Sequence, residues 1–183
     1  MYAVVFALCL VGALAERDDS DPDRGFVHEW REDFNFRCPS DQIINRLVSV
    51  HSSEKNDRRW RILCKSVSSG TRNCEMSEYA NDFDEPLLYK CPSGKVLTGI
   101  KSDYDSRSKD RRYSFQCCKV RRSNPSDCKL SDWQNNFGEK LRYMVPDGWG
   151  IRGVYSFHKN KEEDRRWRFE ACDLDSKCMR DDS

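Results

Sequence analysis

The sequence predicts an all-β fold: one disulfide-rich domain of three antiparallel repeats of about 53 residues around a pseudo-threefold axis, trefoil-like or prism-like. The first observation is a pentad of Asp, two Arg, an aromatic residue and a polar residue that occurs three times. Its copies are Asp57–Arg61, Asp110–Ser114 and Asp164–Arg168. The second observation is that apolar residues alternate after the pentad, as at Trp60, Ile62 and Cys64. Alternation with a period of two indicates a half-buried β-strand, so the pentad is expected where a loop enters a strand.

The amino-terminal residues 1–15 predict a secretory signal peptide. They carry no charged side chain, and the apolar run Val4–Val11 is followed by the small-residue sequence Ala13-Leu14-Ala15. A buried helix or a membrane anchor is the alternative, although the run is shorter than the roughly 20 residues that span a bilayer. Residues 16–25 are polar and contain no aromatic side chain, which indicates a disordered leader. We therefore expect a secreted, soluble protein without membrane insertion.

Residues 26–183 are expected to form the single domain, with repeats at about 30–64, 79–118 and 133–172. Each repeat begins with an aromatic residue and a Phe four positions later, passes through a proline turn and ends with the pentad. Short apolar runs between Pro, Ser and Asp turns favour two or three strands per repeat over a helix. The segments 65–73 and 119–127 are expected to be short connectors. Val145 stands where the other repeats have Cys38 and Cys91, so the crosslinks cannot follow threefold symmetry.

The cysteines predict disulfides, because nine of the ten lie outside the signal peptide and none forms a close pair of zinc-finger spacing. Nine is an odd number, so at least one thiol has no partner within the chain. Cys117 and Cys118 are adjacent and would point to opposite faces of an extended strand. They are therefore expected to bond to two different partners.

Composition and motifs argue against several classes of function. Charged residues make up 34% of the chain but the net formal charge is only +1, which is not typical of a nucleic-acid-binding protein. His28, His51 and His158 lie at no metal-ligand spacing and beside no nucleophile motif. The sequence thus predicts no enzyme, no cofactor and no metal site, although a glycosidase that uses a pair of carboxylates stays open.

The three pentads, the Cys-Pro turns and the adjacent cysteines of the middle repeat resemble the dermatopontin family, and most of all its invertebrate members. The resemblance covers residues 30–178, nearly all of the expected mature chain. It implies a secreted, non-enzymatic protein of the extracellular matrix or haemolymph that acts in cell adhesion, agglutination and binding of proteoglycans or other glycans.

The same resemblance implies a disulfide pattern. The implied bridges are Cys38–Cys64, Cys74–Cys117, Cys91–Cys118 and Cys128–Cys172. Cys178 would be the odd cysteine, because Asn124 stands at the position of its partner in the family. It would either link two chains into a homodimer or remain capped or unpaired.

The pentads also supply the candidate ligand-binding residues. These are Asp57, Arg58, Arg59, Asp110, Arg111, Arg112, Asp164, Arg165 and Arg166. Arginine forms forked hydrogen bonds with sulfate or carboxylate, and an adjacent aromatic ring can stack on a sugar. The alternative is structural: each Asp fixes an arginine or a turn amide, while Trp60, Tyr113 and Trp167 fill the core. One arginine of each pair is then expected to point inward and pair with an aspartate, and the other to face solvent.

The function expected from these features is multivalent adhesion or agglutination, with glycans, glycosaminoglycans or proteoglycans and cell-surface or matrix proteins as partners. Repeated weak sites suit this task, because bridging two cells depends on valency more than on the affinity of one site. Two alternatives stay open: a secreted inhibitor or defence effector that acts on one protein target, and a passive structural component of the matrix.

Overall fold

The protein is described here by a computed structural model, which covers residues 25–174. These residues form eleven β-strands and no helix, so the prediction of an all-β fold is confirmed for them. The strands are β1 Phe34–Arg37, β2 Gln42–Ser52, β3 Asp57–Ser66, β4 Thr71–Met76, β5 Leu87–Lys90, β6 Lys95–Asp105, β7 Asp110–Val120, β8 Ser126–Leu130, β9 Leu141–Met144, β10 Trp149–Lys159 and β11 Asp164–Asp173. No helix within this range is long and apolar enough to cross a membrane.

Each repeat contributes one long antiparallel hairpin, and these are β2–β3, β6–β7 and β10–β11. The second strand of every hairpin begins at the aspartate of the pentad, as the alternation of apolar residues predicts. The residue before that aspartate has a left-handed backbone in all three hairpins, with φ of 48° at Asn56, 49° at Lys109 and 46° at Glu163. A left-handed residue that closes the loop lets the chain reverse and brings the pentads to equivalent ends of their sheets.

The short strand of each repeat pairs with the hairpin of a different repeat. β1 lies on β6, β5 lies on β10, and β9 returns from the third repeat to β2. The sheet orders are therefore β1-β6-β7-β4, β5-β10-β11-β8 and β3-β2-β9. Because every sheet contains strands of two repeats, no repeat completes its own sheet.

The two connectors expected between the repeats contain strands. β4 pairs with β7, and β8 pairs with β11, so each becomes the fourth strand of its sheet. The sequence analysis missed them because both are short and mostly exposed, with no apolar alternation. An edge strand with one solvated side needs no apolar face, and here disulfides hold it instead.

The aromatic residues of the three pentads meet in the centre of the core. Trp60, Tyr113 and Trp167 are at most 2% exposed. The centroid of the Trp167 ring lies 5.0 Å from each of the other two, in edge-to-face geometry. This arrangement is the favourable one for aromatic rings. The three pentad aromatics therefore fill the core, as the structural alternative predicts.

The structure contains four disulfides. It joins Cys38 to Cys64 and Cys128 to Cys172, as the resemblance implies. The other two implied bridges are wrong, because the structure pairs Cys74 with Cys118 and Cys91 with Cys117.

The exchange of partners has a simple cause in the sheet. Cys117 points into the core, where Cys91 also lies. Cys118 points the opposite way, and Cys74 of the edge strand β4 approaches it with a Cα–Cα distance of 4.0 Å. The expectation that the adjacent cysteines bond to different partners is thus correct, but which partner lies on which side depends on how β4 runs along β7.

Candidate functional site

The first arginine of each pentad pairs with the aspartate of another pentad. Arg58 holds Asp164 through Nε and Nη2 at 2.5 and 2.8 Å. Arg111 holds Asp57 in the same way at 2.6 and 2.8 Å, and Arg165 holds Asp110 at 2.7 and 2.5 Å. The three pairs therefore link the first repeat to the third, the second to the first, and the third to the second. We call these six residues the ion-pair ring.

Backbone groups complete the hydrogen bonding of the ion-pair ring. Each aspartate also accepts a hydrogen bond from a backbone N–H in the segment before the short strand of its own repeat. The donors are Arg31 for Asp57, Asp84 for Asp110 and Gly138 for Asp164. Each arginine donates through Nη2 to a backbone carbonyl. Burial by itself lowers the pKa of Arg111, but the hydrogen bond and the charge of Asp57 raise it above its usual value. All six residues are at most 4% exposed, so the ring fixes the hairpin ends to one another.

Only a small cavity lies within the ring. Its volume is about 20 Å³, and Lys109, Tyr113 and Glu163 line it together with the six ring residues. A volume of that order holds roughly one water molecule. A sugar or a sulfate group therefore does not fit between the three pairs.

The second arginine of each pentad packs against aromatic rings. The guanidinium of Arg59 lies 4.5 Å from the ring centroid of Trp30, that of Arg112 lies 4.0 Å from Tyr79, and that of Arg166 lies 5.0 Å from Trp133. These aromatic residues open the three repeats, so one contact recurs three times. Cations over aromatic faces at such distances contribute roughly 0.5–2 kcal/mol each.

The three second arginines differ in how far they reach solvent. The side chain of Arg59 is 7% exposed and pairs with Glu29 at 3.0 Å, whereas that of Arg112 is 37% exposed and pairs with Asp103 at 3.2 Å. Arg166 is half-buried and donates through Nε to the backbone carbonyl of Asn135. The expectation of three similar solvent-facing arginines is therefore not met, because Arg59 is covered.

The sheet β5-β10-β11-β8 carries a longer row of basic and aromatic side chains on its outer face. The ring of Trp133 lies 4.9 Å from the guanidinium of Arg168 as well as 5.0 Å from that of Arg166. The Tyr155 ring lies 5.8 Å from the guanidinium of Arg168 and 6.0 Å from Lys90 Nζ. Leu88, which is 71% exposed, pairs with Tyr155 in the strand register and lies beside it. We call Lys90, Trp133, Tyr155, Arg166 and Arg168 the arginine–aromatic strip.

Sequence reasoning found only Arg166 of this strip. The other four residues lie on three strands and in the segment between β8 and β9, and the pairing of β5 with β10 and of β10 with β11 places the strand residues side by side. The strip had one usable signal in the sequence, the alternation of Arg166, Arg168 and Glu170 on the solvent side of β11.

A second cavity lies at the ends of the strands opposite the ring. It measures about 360 Å³ and is lined by the two connectors, the β9–β10 turn and Leu174. Arg121 and Arg122 are exposed there, next to Ser66, Ser68 and Ser69. This rim is basic at Arg121 and Arg122.

His28 has a structural role. Its imidazole stacks on Phe34 with 4.5 Å between ring centroids, and Nε2 accepts a hydrogen bond from the backbone N–H of Trp60. Burial, followed by the nearby charge of Arg111, lowers the pKa of His28 to about 4. The imidazole is thus neutral at pH 7 and fixes the amino-terminal segment to β3.

The family model described as Dermatopontin matches residues 28–178. The chain belongs to the dermatopontin family. A dermatopontin of Biomphalaria glabrata is 41% identical over 139 residues, which cover 76% of this chain and 93% of that protein. No solved structure matches the chain significantly.

Two further relatives carry other names. The hemagglutinin/amebocyte aggregation factor of Limulus polyphemus is 34% identical over 151 residues, covering 81% of this chain and 87% of that protein. Millepora cytotoxin-1 of Millepora dichotoma is 30% identical over 149 residues, covering 81% of this chain and 67% of that protein.

Three of the sequence predictions lie outside the described residues. These are the signal peptide of residues 1–15, the leader of residues 16–25 except for its last residue, and the role of Cys178.

Proposed function

We propose that this dermatopontin-family chain is a secreted adhesion and agglutination protein that binds sulfated or carboxylated glycans of cell surfaces and proteoglycans at several sites. The observation that carries the proposal is the arginine–aromatic strip, where three cations and two aromatic rings alternate on one outer sheet face. The relative named hemagglutinin/amebocyte aggregation factor supports an agglutinating role.

The chemistry of the strip suits an acidic saccharide. Arg166 and Arg168 supply forked N–H donors for sulfate or carboxylate groups. Trp133 and Tyr155 supply flat apolar faces for sugar rings, and Leu88 extends the apolar surface. Glu170, which pairs with Lys90 at 2.9 Å, offers an acceptor for hydroxyl groups.

The proposal places ligand binding on the second arginines and not on the ion-pair ring. A ligand that used Arg58, Arg111 or Arg165 would have to break a bidentate pair that is at most 4% exposed. The exposed Arg112, with Tyr79 and Lys101 beside it, forms a smaller patch of the same kind in the middle repeat. We therefore propose two unequal glycan sites per chain, the strip and the Tyr79 patch, arranged about a pseudo-threefold axis whose third position is closed.

Valency is what makes this arrangement useful. A weak site becomes effective when a second site on the same particle binds the same surface, because the second event is then intramolecular. A disulfide between the Cys178 residues of two chains would double the number of sites. Agglutination is thus expected to depend on both sites and to weaken when either is removed.

The test is agglutination and binding to a glycan array with the secreted, oxidised chain. Arg166→Gln with Arg168→Gln is expected to reduce heparin retention and agglutination at least tenfold. Arg107→Gln with Lys161→Gln is the matched control, because it also removes two positive charges, from exposed hairpin tips that lie outside the strip. Equal losses of heparin retention and agglutination in both variants would mean that only the overall charge matters, and would contradict the proposal.

The similarity to Millepora cytotoxin-1 favours one second candidate, a defence effector that acts on one target. Stoichiometric binding to a single protein, together with agglutination that soluble acidic polysaccharide does not block, would support this candidate. A passive matrix component would show neither behaviour.

A further inference from the structure

The loop end of the third hairpin brings together four groups that the sequence places far apart. His158 of β10 and Glu163 of the β10–β11 loop come from the third repeat, whereas Asp84 and Asp110 come from the second. One ligand atom each of Asp84, Asp110 and His158 lie within 4.8 Å of one another. Glu163 Oε2 lies 3.9 Å from His158 Nε2.

The two nitrogens of His158 have opposite surroundings. Nδ1 hydrogen-bonds with Asn160 Oδ1 at 3.3 Å, and Asp84 Oδ1, which has no hydrogen-bond partner, lies 3.2 Å from the same nitrogen, so a hydrogen on Nδ1 would face two oxygen acceptors. Nε2 has no hydrogen-bond partner, although the imidazole is 1% exposed. Nε2 faces Asp110 Oδ1 and Glu163 Oε2, both at 3.9 Å.

This geometry is that of a metal ligand without its metal. Histidines that bind metal ions generally donate the other ring N–H to a carboxylate, which fixes the ring and leaves one lone pair directed at the ion. Asp84 takes the place of that carboxylate. A neutral Nε2 lone pair that faces two carboxylate oxygens is repelled by them unless a positive charge lies in the gap.

We propose that His158 Nε2, Asp110 Oδ1 and Glu163 Oε2 bind a divalent cation of the zinc type, with Asp84 as the residue that orients the imidazole. Bonds of about 2.0–2.2 Å in tetrahedral geometry place ligand atoms about 3.3–3.6 Å apart. The two 3.9 Å distances from His158 Nε2 to Asp110 Oδ1 and Glu163 Oε2 therefore need to shorten by only a few tenths of an ångström. An imidazole nitrogen among the ligands favours zinc over calcium or magnesium. A water molecule would complete the four ligands.

The charges around the gap leave room for a cation. Three carboxylates, of Asp84, Asp110 and Glu163, face it. Two cations oppose them, Arg165 on Asp110 and Lys109 on Glu163 Oε1 at 3.3 Å. Asp110 Oδ1 accepts one hydrogen bond, from Arg165 Nε, and each carboxylate oxygen has two lone pairs, so one stays available.

The surroundings of the other two arginine–aspartate pairs of the ring provide an internal comparison. The position of His158 opposite the first pentad arginine is occupied by His51 and Tyr104, and the position of Asp84 by Gly138 and Arg31. Among the three arginine–aspartate pairs within residues 25–174, only Arg165–Asp110 has both a histidine at the position of His158 and a carboxylate at the position of Asp84. The site therefore departs from the repeat, which explains why spacing along the sequence did not reveal it.

The experiment uses the full secreted chain, freed of metal by dialysis against a chelator and titrated with zinc chloride. We expect one saturable site and a rise in melting temperature on zinc addition. His158→Gln and Glu163→Gln are each expected to weaken zinc binding at least tenfold, and Asp84→Asn to weaken it by roughly 10–100-fold, as for residues that orient a ligand. Asp132→Asn, which removes the charge of an exposed aspartate outside this site, is the control and should bind zinc as the unchanged chain does.

Three results would overturn the proposal. The first is zinc binding that His158→Gln leaves unaltered; Glu163→Gln repeats this test at a hairpin tip, should His158→Gln fail to fold. The second is the absence of any site tighter than the background seen with His158→Gln. The third is a zinc-free chain whose melting temperature does not change when zinc chloride is added. X-ray absorption at the zinc edge should show one nitrogen ligand among oxygens.

Discussion

Removing the charge of Asp57 tests the ion-pair ring most directly. This carboxylate accepts hydrogen bonds from Arg111 Nε and Nη2 at 2.6 and 2.8 Å, and from the backbone N–H groups of Arg58 and Arg31 at 2.7 Å each. Asp57→Asn keeps an oxygen that can accept from the backbone but leaves the guanidinium of Arg111, which is 2% exposed, without its counter-charge. Breaking one side of a buried pair costs about 3–5 kcal/mol.

The measurement is urea unfolding of the oxidised chain, followed by the fluorescence of the core tryptophans. A loss of that size lowers the melting temperature by roughly 6–20 °C for a domain of this length. Asp132→Asn, a substitution at an exposed aspartate, is the control and should change stability by less than about 0.5 kcal/mol. Adding Arg111→Met to Asp57→Asn should recover part of the loss, because no unpaired buried charge then remains. A loss below about 1 kcal/mol for Asp57→Asn, or a double variant less stable than the single one, would refute the reasoning.

Three further outcomes follow from the core and the bridges. Because the folded-state pKa of His28 is lowered to about 4 from 6.5, the unfolded chain binds more protons between these values, so stability should fall by up to about 3 kcal/mol as the pH drops from 7 to 4. His28→Gln should remove this part of the pH dependence in urea unfolding, whereas His51→Gln should keep it. Replacing Cys74 and Cys118 together by serine should cost about 2–5 kcal/mol and release β4, seen as faster amide exchange in that strand. Trp167→Ala should cost about 3–5 kcal/mol in the same unfolding assay; a loss near 1 kcal/mol would contradict the central position of this ring.

The sequence predicts the hairpins well because their signals are local. Alternation around Trp60 and Trp167 places the apolar face of β3 and β11, and the left-handed residues before each aspartate agree with a loop that leads into a strand. The strands β4 and β8 were not predicted. Their residues show no period of their own, since only the neighbouring strands and the disulfides hold them.

The exchange of disulfide partners shows the same limit. That Cys117 and Cys118 bond to different partners follows from the geometry of any extended strand. Which of them faces Cys91 depends on the side of β7 that covers the core, and hence on packing between repeats.

The sequence by itself determined the all-β class, the three hairpins and the family, because repeated motifs and alternation are local properties. The tertiary structure alone decided which arginines are buried in the ring, which lie on the outer sheet face, and which acidic groups surround His158. The pairs of the ring, for example, join residues more than 50 positions apart. They arise because the short strand of each repeat pairs with the hairpin of another, a choice of partner that no single repeat encodes.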